Sequence, residues 1–261
     1  MSNSIRTVSI IGAGNVAFHL ARAFVQNTVQ VKQIYNRTLH KAEIIGEANK
    51  IQFTDKISEL EPVDLFIIAS SDSAITELSM HIPFDDTMVV HTSGSIAIDA
   101  LKGNYKKGVL YPLQTFSKGR YLEYDEIPFF VEAENEENAE ALKELAKRIA
   151  NQVTVIDSAQ RAKLHLAAVW SCNFVNHMYY MGEQTTNEAG LSFDYLKPLI
   201  KETAAKLENL TPFEAQTGPA KRNDQIVLEQ QLALIKNEFP NELYRRISQS
   251  ITETYHNQHE L

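Results

Sequence analysis

The chain is short of several things, and each shortage removes a class of function. It has one cysteine in 261 residues, Cys172, so it can form no internal disulfide and offers no cysteine cluster to a metal. Basic residues are in the minority, with 25 Lys and Arg against 33 Asp and Glu and a formal net charge of −8. Nucleic acid calls for a basic face, so it is not the expected partner, although a nucleotide needs only a local pocket of donors. No apolar run approaches the roughly 18 residues a membrane-spanning helix requires. Nor do the first residues show the basic and apolar regions of a signal peptide. The expectation is a soluble, cytoplasmic protein with no membrane partner. Zinc spacings, a phosphate-binding Walker loop and a Ser-His-Asp elbow are missing too. His256, His259 and Glu260 in the polar tail make a poor chelate, and no metal is expected.

What is present is a chain 44% hydrophobic and 22% charged, enough for a sizeable core. Short β-rich runs recur at 7–11, 31–35, 64–70, 87–93, 107–112, 128–133 and 152–157, with helical segments such as 15–27 and 136–150 between most of them. Strands separated by helices predict βαβ units and an α/β fold with a doubly wound, mostly parallel sheet. Apolar residues on both strand faces fit helices covering both sides. After Asp157 the strand signal stops. Residues 158–183 read as one long helix, and further helices are expected at 194–209, 224–238 and 241–255. The expected domains are 1–157, which would bind a nucleotide, and 158–261, a smaller all-helical domain.

The stretch "SIIGAGNVA" (9–17) ends a strand and opens a helix. Gly12 permits the tight turn, Gly14 lets backbone approach a diphosphate, and Ala17 lets the helix pack closely on the sheet. Asn15 and Val16 lie at the helix mouth, where free N–H groups attract phosphate. The plain alternative is an ordinary strand–helix turn; the βαβ context favours a dinucleotide cradle. Binders of NAD usually place a carboxylate at the end of the second strand. Here "IYNRT" puts Asn36, Arg37 and Thr38 there instead. The Arg37 guanidinium suits a 2′-phosphate, which predicts NADP(H), unless it is merely a solvated cation. At the other strand ends Ser70 and Ser71 are expected beside the cofactor, Ser93 and Ser95 against a substrate carboxylate, and Gln114 as a neutral hydrogen-bonding group. All of these residue types also serve ordinary turns and caps.

On the long helix, at about 100° per residue, His165, Val169, Cys172 and Asn176 fall near one line, with Asn173 about 80° away. His165 is the candidate proton carrier and Asn173 a substrate-orienting group; the alternative is a core histidine with interhelical asparagines. The rest of the circumference is apolar, including Leu166, Trp170 and Phe174. Other helices or a second subunit must cover it, and a homodimer through this domain is expected. In "TGPAKRND" (217–224), Arg222 either binds a carboxylate or pairs with Asp224.

Through "SIIGAGNVA", "IYNRT", "VVHTSGS", "LYPLQTF", "LHLAAVWSCNFVNH" and "TGPAKRND" the chain resembles a family of NADP-dependent oxidoreductases. Its members join a Rossmann-like N-terminal domain to a helical C-terminal domain of unknown function. They are related to deazaflavin-dependent NADP oxidoreductases and pyrroline-5-carboxylate reductases. The resemblance implies NADP(H) held at Gly12, Gly14, Ala17, Asn36, Arg37 and Thr38, and a characteristic His and Asn at His165 and Asn173. It departs from the hydroxyacid dehydrogenases, because Lys163 is followed four residues on by Ala167 and not by Asn. The expected activity is hydride transfer between nicotinamide and a small carbonyl, imine or hydroxy-acid substrate bound between the domains. His165 would carry the proton, with His91 as rival, and Ser93, Ser95 or Arg222 would hold a carboxylate. The other reading is a non-catalytic protein that binds or senses NADPH.

Overall fold

A computed structural model describes residues 4–256. His259 and Glu260 of the tail lie outside the described residues. The first apolar run forms β1 (Thr7–Ile11), followed by α1 (Asn15–Gln26), β2 (Gln30–Tyr35), α2 (Leu39–Asn49), β3 (Gln52–Thr54), β4 (Leu65–Ile68), α3 (Ile75–Met80), β5 (Met88–His91), β6 (Lys106–Pro112), β7 (Phe129–Ala133), α4 (Glu136–Ala146) and β8 (Val153–Val155). These strands make one eight-stranded sheet in the order β3-β2-β1-β4-β5-β6-β7-β8.

Neighbours are parallel except β6 and β7, which run antiparallel. The link between those two, 113–128, carries no α-helix. A parallel pair needs a crossover, usually a helix, whereas an antiparallel return does not. The sheet is therefore Rossmann-like and mostly parallel. Its side chains divide by the period of two: Leu65 and Ile67 of β4 enter one core with Phe24 and Leu142, while Phe66 and Ile68 enter the other with Ile75 and Val89. The strand order reverses beside β1, between β2 and β4, and that crevice at the strands' carboxyl ends is where ligands of open α/β sheets lie.

Beyond the sheet the helix expected at 158–183 is interrupted. It comprises α5 (Ser158–Ala168), a π-helical turn (Val169–Phe174) and α6 (Val175–Glu188). Asp157 starts α5 with a capping box, accepting the Gln160 amide while Gln160 reaches back to the Asp157 amide. A π turn is wider and advances fewer degrees per residue. The single line through His165, Cys172 and Asn176, laid out at a constant α pitch, is therefore not kept. Then follow α7 (Lys197–Ala205), α8 (Pro212–Ala215), α9 (Gln225–Leu234) and α10 (Glu238–His256). The chain divides into two compact units, one ending at Asn173 and the other beginning at Phe174, so α5 counts with the sheet. Among the described residues, no helix is long and apolar enough to cross a membrane.

Candidate functional site

Where β1 ends, Gly12 takes φ +120°, and its amide donates to the Tyr35 carbonyl over 2.7 Å. A Cβ at this position would lie 2.2 Å from the Ala69 carbonyl oxygen, so no other residue fits the turn. Gly14 is the opposite case: a Cβ there would meet no protein atom within 4 Å. It is also the N-cap of α1, which has neither a side-chain cap nor an acidic residue in its first turn. The leading amides of α1, unpaired by the helix itself, carry its partial positive charge. Beside them opens a cavity of about 430 Å³. Its glycine-turn wall is Ala13, Gly14, Asn15 and Val16; Asn36 and Lys41 come from the β2 end, Ser70, Ser71 and Thr92 from the β4 and β5 ends, and Gln114 and Phe116 from the segment after β6. Uncapped amides and hydroxyls with a nearby ammonium form a place for an anion.

The segment after β6 is tied down over the glycine turn. The Asn15 side-chain amide donates to the Phe116 carbonyl (2.8 Å), and the Lys118 ammonium donates to the Ala13 carbonyl (3.1 Å). The buried His19 ring lies between the Ser117 carbonyl (3.1 Å) and the Tyr124 hydroxyl (3.0 Å). These ties set Gln114 and Phe116 beside the helix mouth.

Of the residues expected at the cofactor, Gly14, Asn15, Val16, Asn36, Ser70 and Ser71 line the cavity, and so does Gln114. Ala17 is wholly buried in the α1–sheet packing, as its size requires. Arg37 and Thr38 are exposed and lie next along the chain from Asn36, whose side-chain amide donates to the Thr38 carbonyl over 3.0 Å. Lys41, in the first turn of α2, lines the cavity, which Arg37 and Thr38 do not.

Around the ends of β5 and β6 the structure revises the expectation more deeply. His91 is fully buried, and its Nδ1 accepts the Ser93 amide over 3.2 Å. Burial, aided by the Arg161 cation, pushes its pKa down to about 4. A neutral ring closed off from solvent builds the turn and does not deliver protons, so the rival role given to His91 is withdrawn. The shift also has a sign for stability. Between the unfolded value near 6.5 and about 4 the unfolded chain binds a proton that the folded chain refuses. Stability is therefore expected to fall by roughly 3 kcal/mol as pH drops through that window. In chemical unfolding from pH 7 to 4, His91→Gln should flatten this part of the slope; an unchanged slope would contradict the assignment.

Ser93 is buried as well, and its hydroxyl accepts the Ser95 and Ile96 amides, each over 3.1 Å, so it caps a turn and is not free for a carboxylate. Ser95 is exposed. The turn is held by Arg161 of α5, a residue that no motif in the sequence singles out. It is wholly buried and donates to the carbonyls of Ser93 (3.2 Å), Gly94 (3.4 Å) and Ile96 (2.7 Å). Its second terminal nitrogen, Nη2, donates to Glu132 over 2.7 Å and to the Ser158 hydroxyl over 3.0 Å. His165 lies one turn on from Arg161. The Gly94 backbone packs so close to its ring that a Cβ on Gly94 would sit 2.6 Å from Cγ and Nδ1. The Tyr111 hydroxyl is 2.9 Å from His165 Nδ1. The sequence reading took Gln114 from that segment and passed over Tyr111.

Asn173 is exposed, in the π turn. Arg222 is exposed in the second unit, and Asp224 caps α9 by accepting the Val227 amide; among the described residues the two form no ion pair. No group of three or more metal-ligating side chains occurs among the described residues.

Comparison with known proteins places these features. Residues 127–251 match a domain of unknown function, DUF2520. No curated protein matches. A Bacteroides fragilis protein described as a "putative NADP oxidoreductase" is 39% identical, over 97% of this chain and 100% of that one, with a TM-score of 0.90. A Thermotoga maritima protein (22% identity, TM-score 0.73, 97% and 100% covered) and a Myxococcus stipitatus imine reductase in complex with NADP+ (13%, 0.67, 96% and 93%) share the fold. At 39% identity over 97% of its length, the chain belongs to the same family as that Bacteroides fragilis protein.

Proposed function

We propose that the protein is an NADP(H)-dependent oxidoreductase acting on a small carbonyl, imine or hydroxy-acid substrate. The observation that carries the reading is the uncapped mouth of α1, with open space above Gly14, facing a polar cavity at the sheet's switch point. The residues fit the cofactor. The α1 amides and Gly14 would take the diphosphate, Ser70, Ser71 and Asn36 the riboses, and Lys41 with Arg37 and Thr38 the 2′-phosphate. Bound there, the nicotinamide would exchange a hydride with the substrate carbon. His165 would carry the proton, and Asn173 and Ser95 would orient the substrate. The family relationship and the NADP+ complex of the imine reductase support this reading. Titration should show NADPH binding at least tenfold tighter than NADH, since charged hydrogen bonds to a phosphate are each worth about 1.5–3 kcal/mol. Oxidation of NADPH should follow over a panel of 2-keto acids and cyclic imines, and His165→Ala should cost about 10²–10⁴ in turnover. Binding with no turnover on any compound would favour a sensor; equal affinity for NADH would remove the NADP(H) assignment.

We also propose that the helical part pairs with a second copy, in the cytoplasm. From Phe174 onward the described residues bury only Ala220 and Leu228 among their apolar side chains, while Tyr195, Leu199, Ile226, Leu234 and Phe239 stand 62–74% exposed. Helices with so little core of their own gain stability from a partner surface. Light scattering should give twice the chain mass of 29.5 kDa; a monomer at micromolar concentration would oppose it.

A further inference from the structure

The pair formed by Tyr111 and His165 carries more than the proton-carrier role alone. Tyr111 stands at the carboxyl end of β6, only 6% exposed, with its hydroxyl on the Nδ1 side of the imidazole. Gly94 closes one side of the ring, held in turn by Arg161 and Glu132. Among the described residues, Nε2 of His165 has no hydrogen-bond partner, and the ring is part exposed.

Resting on the oxidoreductase reading above, we propose that Tyr111 is a positioning residue that occupies Nδ1 of His165, so that Nε2 is the nitrogen exchanging a proton with the substrate. A hydroxyl serves both states of the ring: it accepts from Nδ1–H of the imidazolium and donates to Nδ1 of the neutral imidazole. In the reducing direction the Nε2 proton passes to the substrate oxygen or nitrogen as a hydride reaches the carbon. The C=O or C=N π bond becomes C–H plus O–H or N–H, reduced nicotinamide is oxidised, and His165 is left neutral until solvent reprotonates it. Burial raises the Tyr111 pKa, and the Arg161 cation partly offsets this; the hydroxyl therefore stays protonated across the working range. Of the titratable and charged groups here, Tyr111 of β6 touches the ring itself, while Arg161 of α5, backed by Glu132 of β7, and the buried His91 of β5 hold the Ser93–Gly94 turn beside it.

The test is the ratio of Nδ1–H to Nε2–H forms of His165 in the full-length protein, labelled with ¹⁵N-histidine and read by NMR, with and without Tyr111→Phe. Phe keeps the ring and its packing beside Phe130, 6.4 Å away between centroids. Losing the hydroxyl that donates to Nδ1 removes the preference of the neutral ring for carrying its proton on Nε2. The ratio of Nδ1–H to Nε2–H forms of His165 should therefore change. Should the variant melt early, 3-fluorotyrosine in place of tyrosine makes the same hydroxyl a stronger donor and should move the ratio toward the Nε2–H form. With NADPH and whichever 2-keto acid or cyclic imine the wild type turns over, Tyr111→Phe should lower kcat about tenfold, shift the kcat–pH profile and leave the KM for NADPH unchanged. An unmoved form ratio, or an unmoved kcat and pH profile, would overturn the proposal. If the wild type turns over nothing, the oxidoreductase reading falls, and with it the catalytic use of the pair; the form ratio separately decides whether Tyr111 governs the ring.

Discussion

Gly12→Ala is expected to cost at least a hundredfold in NADPH affinity and to lower the melting temperature by several degrees. Two independent penalties meet at this residue. Its φ of +120° lies where an L side chain is strained by about 1–3 kcal/mol. The new methyl would also lie 2.2 Å from the Ala69 oxygen and 2.8 Å from the Ala69 carbonyl carbon, which are backbone and cannot swing aside. Ala69 is itself fixed, because its amide donates to the Ile11 carbonyl over 2.8 Å. The turn must therefore open and carry the α1 mouth out of line with the cavity. A loss of about 2.7 kcal/mol of binding is a hundredfold in Kd. Gly14→Ala is the matched control: it meets no protein atom, so it should melt like the wild type and weaken NADPH by intruding on the diphosphate's space. Calorimetric titration and melting of both variants decide the matter. Wild-type affinity in Gly12→Ala would show that the glycine turn does not form the cradle.

Arg161→Met should lower stability by about 3–5 kcal/mol, the usual cost of leaving one partner of a buried ion pair alone. For a chain of this size that is roughly 10 °C in melting temperature. The Glu132 side chain is 11% exposed and would keep only the Ser158 hydroxyl as partner. The carbonyls of Ser93, Gly94 and Ile96 would lose a common donor at the same time. Because the penalty comes from the stranded carboxylate as much as from the lost bonds, Arg161→Met with Glu132→Leu should recover a large part of the loss. Turnover should not recover with it, since the Gly94 turn under His165 stays unpinned. A double variant no more stable than the single one would mean that the carbonyl bonds, and not the ion pair, hold the fold here.

Much of the frame was legible because it is local. The alternation of apolar strands and helices named the sheet, and the Gly12, Gly14 and Ala17 spacing named the turn, because φ, close approach and helix packing act within a few residues. The absence of an acid after β2 was equally readable. Local reasoning failed where a residue's meaning depends on distant neighbours. β3 is only three residues long, too short to show a period. The π turn at Val169–Phe174 broke a helical wheel that assumes constant pitch.

By itself, then, the chain determined a dinucleotide-type α/β frame and the place of its anion cradle. Tertiary structure alone decided the polar network beside His165, through partners 29 residues apart for Arg161 and Glu132, 54 for Tyr111 and His165, and 68 for Arg161 and the Ser93 carbonyl. The physical reason is that burial and partnership set a side chain's charge and orientation. The strand order of the sheet, and no spacing along the sequence, brings those partners together.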